Sequence, residues 1–300
     1  MKSKYHSKVI IGTWSLSGDL GKISQKNIYS SIEQSLKKNF FEFDTAPTYG
    51  FGKMDKVLAE ICKGEKKIKI NTKCGYDTNS FKTFEIDDIK KSIDVSLRKF
   101  GRINTLFLHN PRKEIKNWHL LINFLLEYKK NNHVKHIGIS LARDFYFNRK
   151  IMNKFDYLQD EINLLRPHAI NKLKGLNPKI MARSPLASGC LSEKLSNNSK
   201  FSKQDYRNSW LGKKTRLKNI LFQIKEVKKI TGQNLRSFSK IFLLKNKNIN
   251  KVIFGIKNPS HINEIEKDLN NLKIINKEKI KKIFKLSKNN YNLPKNARGY

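Results

Sequence analysis

Eight short β-rich runs recur along this chain, and they limit its fold more than any other feature. They are KVIIG (8–12), FFEFDT (40–45), IKINTK (68–73), INTLFLH (103–109), VKHIGIS (134–140), FDYLQ (155–159), KIMARS (179–184) and KVIFG (251–255). Most are continuous and apolar, as parallel strands buried on both faces are. Segments with helical spacing lie between them. Residues 26–38 place Ile28, Ile32 and Leu36 four apart. Residues 86–100 open with acids and close with LRKF, which complements a helix dipole. Residues 118–130 carry Leu120, Leu121, Phe124 and Leu125 on one stripe. Eight strands alternating with helices, their starts roughly 30 residues apart, predict an α/β chain folded as a single (β/α)8 TIM barrel rather than an open sheet. A dinucleotide-binding G-x-G-x-x-G is missing after the first strand, where GTWSLSG stands.

The gap between the seventh and eighth runs, 185–250, is too long for one unit. It is expected to hold a long loop (192–205) and two extra helices (about 216–230 and 234–246). A long loop in a compact domain is usually functional. No Pro/Gly/Ser-rich linker marks a boundary, so residues 1–288 read as one barrel domain and 289–300 as an irregular tail.

Charge is the odd quantity. The net charge is +37, from 62 basic residues, of which 11 are Arg and 51 Lys, against 25 acidic ones. A nucleic-acid binder is the first reading of such a number. However, Lys, Asn and Ile share A/T-rich codons, and the lysines are spread along the whole chain. A base bias explains the excess, and Arg, the better phosphate fork, is scarce. The surface reads as a diffuse solvated one with no specific nucleic-acid partner. No stretch approaches the roughly 18–20 apolar residues of a membrane span. The basic N-terminus carries a four-residue apolar run, too short for a secretory signal. Cys62, Cys74 and Cys190 are odd in number, widely spaced and outside any Cys/His cluster, which fits a reducing compartment and no zinc site. A cytoplasmic protein is the expectation.

In a barrel of this kind the chemistry sits at the carboxyl ends of the strands. Those ends read Asp44, Lys73, His109, Ser140, Gln159, Arg183 and Gly255, with Tyr49 five residues past Asp44. Alone, each has an ordinary explanation: Asp44 a helix cap, Lys73 one lysine of many, His109 a core imidazole, Tyr49 a loop aromatic. Three ionisable residues capping three successive strands at one mouth reverse that reading. An unperturbed Tyr titrates near 10 and donates poorly at neutral pH. A nearby Lys ammonium is expected to lower that value, and an Asp to hold the Lys. His109 could then hydrogen-bond the oxygen that receives the proton. Such a site protonates an oxygen while something else attacks its carbon. With no metal constellation and no Ser or Cys nucleophile paired with a base, the attacking species is expected to be a cofactor hydride.

These residues resemble a known family. DTAPTYGFG (44–52) resembles the aldo-keto reductase signature, in which Asp and Tyr stand in a D-T-A-x-x-Y-G run. Lys73 in INTKCG and His109 in LFLHNP fall where the family has its catalytic Lys and His. GTW (12–14), KKNNHVKHIGIS (129–140), LQDEINLL (158–165), RSPLASGCL (183–191), DYR (205–207) and FGIKNPSHINE (254–264) extend the resemblance along nearly the whole chain. It implies an NAD(P)H-dependent carbonyl reductase acting on an aldehyde, a ketone or a sugar. By position it makes Tyr49 the acid/base, with Lys73 and Asp44 tuning it and His109 orienting the carbonyl. Ser140 and Gln159 would bind the nicotinamide carboxamide, with Asn163 nearby. Arg183 would stack where many members carry Tyr. Leu186, Gly255, His261 and Glu264 would complete the cofactor site, His261 adding a contact when protonated. Lys257 would meet a 2′-phosphate, giving preference to NADPH over NADH, and Trp14 would line the substrate pocket. Leu141, Met54–Asp55, Phe254, His261 and Ile265 depart from the family pattern and bear on cofactor choice rather than on the catalytic group. A regulatory protein that keeps the barrel and cofactor site without catalysis is the alternative, and the intact tetrad speaks against it.

Overall fold

The computed structural model describes residues 4–232, 234–272 and 275–293. Eight parallel strands close into a barrel in chain order: β1 (Val9–Gly12), β2 (Glu42–Asp44), β3 (Lys69–Cys74), β4 (Ile103–His109), β5 (Val134–Ser140), β6 (Tyr157–Glu161), β7 (Lys179–Arg183) and β8 (Lys251–Gly255). Pairing of β1 with both β2 and β8 completes the closure, with Gly12 opposite Asp44 on one side and Gly255 on the other. This is the TIM barrel that the alternating runs predict.

Around it lie α1 (Gln25–Lys37), α2 (Lys53–Ile61), α3 (Ile86–Phe100), α4 (Trp118–Lys130), α5 (Arg149–Met152), α6 (Ala169–Leu173), α7 (Asn208–Leu211), α8 (Lys214–Thr231), α9 (Leu235–Lys245), α10 (Pro259–Asn270) and α11 (Lys277–Lys288). Local chemistry sets several of their ends. The side chains of Ser24, Asn117 and Asn234 accept from backbone N–H groups in the first turns of α1, α4 and α9, which satisfies donors the helix leaves unpaired. Asp87 and Asp88 begin α3, and Arg98 and Lys99 end it. The helices α7, α8 and α9 fill the gap between β7 and β8, after a 3-10 segment at Ala187–Ser192.

The strand period of two sorts side chains to two sides of the sheet. Outward residues such as Ile11, Phe43, Leu106, Ile139 and Leu158 join the large apolar cluster shared with the helices. Inward residues Ile10, Phe107, Tyr157, Met181 and Ile253 form a separate apolar plug. At Gly138 a Cβ would lie 2.5 Å from the Phe107 ring, so the absent side chain makes room for that plug. One period further along each strand, the inward positions are Gly12, Asp44, Lys73, His109, Ser140, Gln159, Arg183 and Gly255. The plug forms the floor on which they stand.

Two expectations change. The sixth strand runs on to Glu161 instead of stopping at Gln159. The two added residues, Asp160 and Glu161, are charged. They are nevertheless buried, and Asp160 is paired with the fully buried Arg166 at 3.1 Å. The stretch after Asn289 is not wholly a tail: Tyr291 is buried, and its hydroxyl donates to the Leu164 carbonyl at 2.9 Å. Residues 294–300 of that stretch lie outside the described residues. Among the described residues no helix is long and apolar enough to cross a membrane.

Candidate active site

A cavity of about 1170 Å³ opens at the carboxyl ends of the strands. Asp44, Tyr49, Lys73, His109, Ser140, Gln159, Arg183, Leu186, Gly255, Lys257, His261, Glu264 and Trp14 all line it. Asn163 does not. It is buried, donates to the Ser184 carbonyl at 3.1 Å and accepts from the Leu165 N–H, so it ties the loops after β6 and β7 together.

The centre of the site is a buried ammonium. Lys73 is 1% exposed, and its three N–H donors go to Asp44 Oδ1 (2.8 Å), the Thr45 carbonyl (2.7 Å) and the Tyr49 hydroxyl oxygen (3.0 Å). An ammonium has three donors and no acceptor, so this set saturates it. Burial alone lowers the Lys73 pKa, but the Asp44 carboxylate and the Tyr49 hydroxyl outweigh burial and leave it above its ordinary value. The group is therefore charged. Asp44 is held on its other side by Gln159, whose Nε2 donates to Oδ2 at 2.8 Å, and Ser140 Oγ donates to Gln159 Oε1 at 2.8 Å.

Tyr49 differs from the expectation. Desolvation raises its pKa above the ordinary 10, and the opposing pull of Lys73 is weaker than burial. The phenol thus stays protonated. Because it accepts from Lys73, its own proton is free to point into the cavity. The Tyr49 and His109 rings meet edge-on, 6.4 Å apart. Burial, with Lys73 and Arg183 adding to it, holds the His109 imidazole well below 6.5, so it is neutral. Its Nδ1 is buried and has no hydrogen-bond partner.

At the rim, Trp14 lies 6.4 Å from Tyr49 and 5.4 Å edge-on from Tyr206, with its indole N–H on Asp19 at 2.9 Å. Arg183 donates to the Leu141 carbonyl at 3.2 Å and lies 3.8 Å from Glu161. Lys257 Nζ donates to the Leu20 carbonyl, which Arg207 also reaches at 3.0 Å. His261 Nδ1 accepts from the Lys257 backbone N–H at 3.3 Å, and burial lowers the pKa of the ring. Burial thus opposes protonation of His261 and confines the contact it would add when protonated to lower pH. Glu264 is gripped by Arg236 through both oxygens at 2.8 and 2.6 Å.

Other lining residues were not singled out in the sequence: Tyr76, Arg112, Arg143, Glu161, Tyr206 and Trp210. Tyr206 sits inside the DYR segment and could have been found there. Tyr76, 5.0 Å from the His109 ring, lies three residues past Lys73 in a loop with no local signal.

The aldo/keto reductase family profile matches residues 8–288. The chain belongs to that family. No curated protein matches the chain significantly in sequence. Among solved structures it is similar to the glycerol dehydrogenase AKR11B4 from Gluconobacter oxydans, with TM-score 0.77, 20% identity and coverage of 98% of this chain and 95% of that one. It is also similar to the aldo-keto reductase AKR11C1 from Bacillus halodurans, with TM-score 0.71, 17% identity and coverage of 93% and 91%. A third likeness is to the thermostable aldo-keto reductase Tm1743, with TM-score 0.65, 16% identity and coverage of 93% and 94%. At these identities the likeness concerns the fold.

Aldo/keto reductases use a nicotinamide dinucleotide. The residues of this family member fit such a group. At Gly255 a Cβ would lie 2.8 Å from Ser15 Oγ, so the rim stays narrow in side chains there. The unpartnered His109 Nδ1 is a buried polar atom that calls for a ligand or a water. Lys194, Arg236, Lys240 and Lys257 also line the cavity, with Arg236 paired to Glu264 and Lys240 to Asp268.

Proposed function

We propose that this chain is an NAD(P)H-dependent carbonyl reductase that reduces an aldehyde or ketone, or oxidises the matching alcohol, with Tyr49 as the general acid. One observation carries the reading: Lys73 spends all three donors on Asp44, Thr45 and Tyr49. A charged donor on the phenol oxygen stabilises the phenolate that forms when Tyr49 releases its proton. Asp44 keeps the ammonium in place, and Gln159 keeps Asp44 in place.

NADPH, when bound, supplies the hydride for the carbonyl carbon. Ser140 and Gln159 would hold its carboxamide end, and the flat Arg183 guanidinium would lie against its ring. Leu186 and Gly255 would flank it. Lys257, with His261 and Glu264 beside it, would meet the adenosine end and favour NADPH over NADH. His109, neutral, would donate one hydrogen bond to the carbonyl oxygen and so orient it. Trp14 would cover the substrate. The glycerol dehydrogenase among the similar structures makes polyols and their aldehydes reasonable members of a first panel.

The test is a panel of aldehydes, ketones, sugars and polyols followed by nicotinamide absorbance, with Tyr49→Phe beside the wild type. Turnover that needs Tyr49 supports the reading. Turnover equal in the two proteins refutes it.

A further inference from the structure

Among the described residues, the cavity is lined by five of the chain's 11 arginines, Arg112, Arg143, Arg183, Arg207 and Arg236, but by only six of its 51 lysines. A base bias raises lysine everywhere, and it does not gather the scarce arginines at one mouth. Four of the five face carboxylates. Arg236 is on Glu264 and Arg207 on Asp205, both at 2.6 Å, while Arg183 and Arg143 lie 3.8 and 3.9 Å from Glu161.

Arg112 is the exception. It stands three residues past His109 in the loop after β4. Its guanidinium lies 5.6 Å from the Phe145 ring centre, and it has no carboxylate partner among the described residues. The loop is nevertheless fixed around it. Glu114 Oε2 accepts from the Arg112 backbone N–H at 2.6 Å, and Glu114 Oε1 pairs with Lys82 at 2.5 Å. Glu114 thus neutralises Lys82 and leaves Arg112 as the net charge of the cluster. A chain of contacts joins this cluster to the acid: Tyr49 to His109 (6.4 Å), His109 to Tyr76 (5.0 Å), and Tyr76 to Lys82 (5.7 Å). In an eight-stranded barrel β4 lies opposite β8, so Arg112 and Lys257 occupy opposite rims.

We propose that Arg112 binds an anionic group, a carboxylate or a phosphate monoester, carried by the carbonyl substrate at the end remote from its carbonyl. This rests on the reading of the cavity as a carbonyl reductase site. A guanidinium fork offers two parallel N–H donors to either anion. The substrate would lie across Tyr76, with its carbonyl between Tyr49 and His109 and its anion at the outer rim.

The test compares kcat/KM for two pairs at fixed ionic strength with NADPH: butanal against 4-oxobutanoate, and glyceraldehyde against glyceraldehyde 3-phosphate. Wild type, Arg112→Gln and Arg112→Lys are measured. Wild type should favour the anionic member of at least one pair by about tenfold, and the pair that responds tells carboxylate from phosphate. The preference should vanish in Arg112→Gln, return in part in Arg112→Lys, and shrink with added salt. A preference that survives Arg112→Gln, or none in either pair, overturns the proposal while leaving the carbonyl reading intact. If none of the four carbonyls is turned over, the carbonyl reading falls by itself, and calorimetry with NADP+ present decides the anion site. Succinate or inorganic phosphate bound about tenfold more weakly by Arg112→Gln upholds it. Equal binding, or none, overturns it.

Discussion

Gln159 donates its side-chain amide to Asp44 Oδ2 at 2.8 Å, across 115 residues of chain. This links the residues expected to meet a cofactor with those expected to handle the proton. Ser140 fixes the Gln159 amide, Gln159 fixes Asp44, Asp44 fixes Lys73, and Lys73 donates to Tyr49.

Gln159→Leu therefore should do more than weaken a cofactor. It leaves one oxygen of a buried carboxylate without its donor, a hydrogen bond to charge that contributes about 1.5–3 kcal/mol. Denaturant unfolding should show a loss of that order. Turnover should fall by more than the change in NADPH dissociation constant accounts for. If only the dissociation constant moves, Gln159 is a cofactor contact and nothing else.

Tyr49→Phe removes the proposed proton donor and keeps the ring beside Trp14 and His109. A positioned general acid supplies about 10²–10⁴-fold in rate, so kcat should drop by that factor. The circular dichroism spectrum and NADPH affinity should stay as in wild type.

Lys73→Met breaks a buried ion pair and strands Asp44. Removing one partner of such a pair typically costs about 3–5 kcal/mol, so unfolding should come at clearly lower denaturant. Turnover should fall sharply in the folded fraction, with NADPH affinity little changed. A large loss of cofactor binding with normal chemistry would make Lys73 a phosphate ligand instead.

The pH profile follows from two shifts. Burial raises Tyr49 above 10, so the proposed acid keeps its proton through neutral pH and carbonyl reduction should decline only on the alkaline side. Burial lowers His109 well below 6.5, so no limb near 6.5 should appear in kcat. The same shift affects folding. Below about 6.5 the unfolded chain takes up a proton on this histidine that the folded chain refuses. Stability should thus fall as pH drops through that value, and less so in His109→Gln. A kcat limb at the ordinary histidine value would refute the neutral imidazole.

Lys257→Ala tests cofactor choice. A charge-assisted contact to a 2′-phosphate contributes about 1.5–3 kcal/mol, and roughly 1.4 kcal/mol is tenfold in affinity. NADPH should weaken by about tenfold or more, with NADH nearly untouched. Lys257 also donates to the Leu20 carbonyl, so the ratio of the two dissociation constants is the quantity to compare, at fixed ionic strength. A wild type that prefers NADH would remove this role.

The amino-acid sequence by itself determined the barrel, because eight apolar runs alternating with helical stripes have few other ways to bury both faces of a sheet. It also placed Asp44, Lys73, His109, Ser140, Gln159, Arg183 and Gly255 together, since strand period and strand end are local properties that a barrel carries to one rim. Tertiary structure decided what a one-dimensional pattern does not hold. Whether Tyr49 lies above or below its ordinary pKa is a contest between burial and the Lys73 charge, and burial depends on the whole cavity. The charged Asp160–Glu161 end of β6 is accommodated as buried strand because Arg166, six residues on, and Arg183, on the neighbouring β7, come to face it. Asn163 leaves the site for the same reason: its amide finds the Ser184 carbonyl, 21 residues on. Arg112 reads as one more surface cation until the fold brings the other arginines to the same cavity and pairs each of them with a carboxylate.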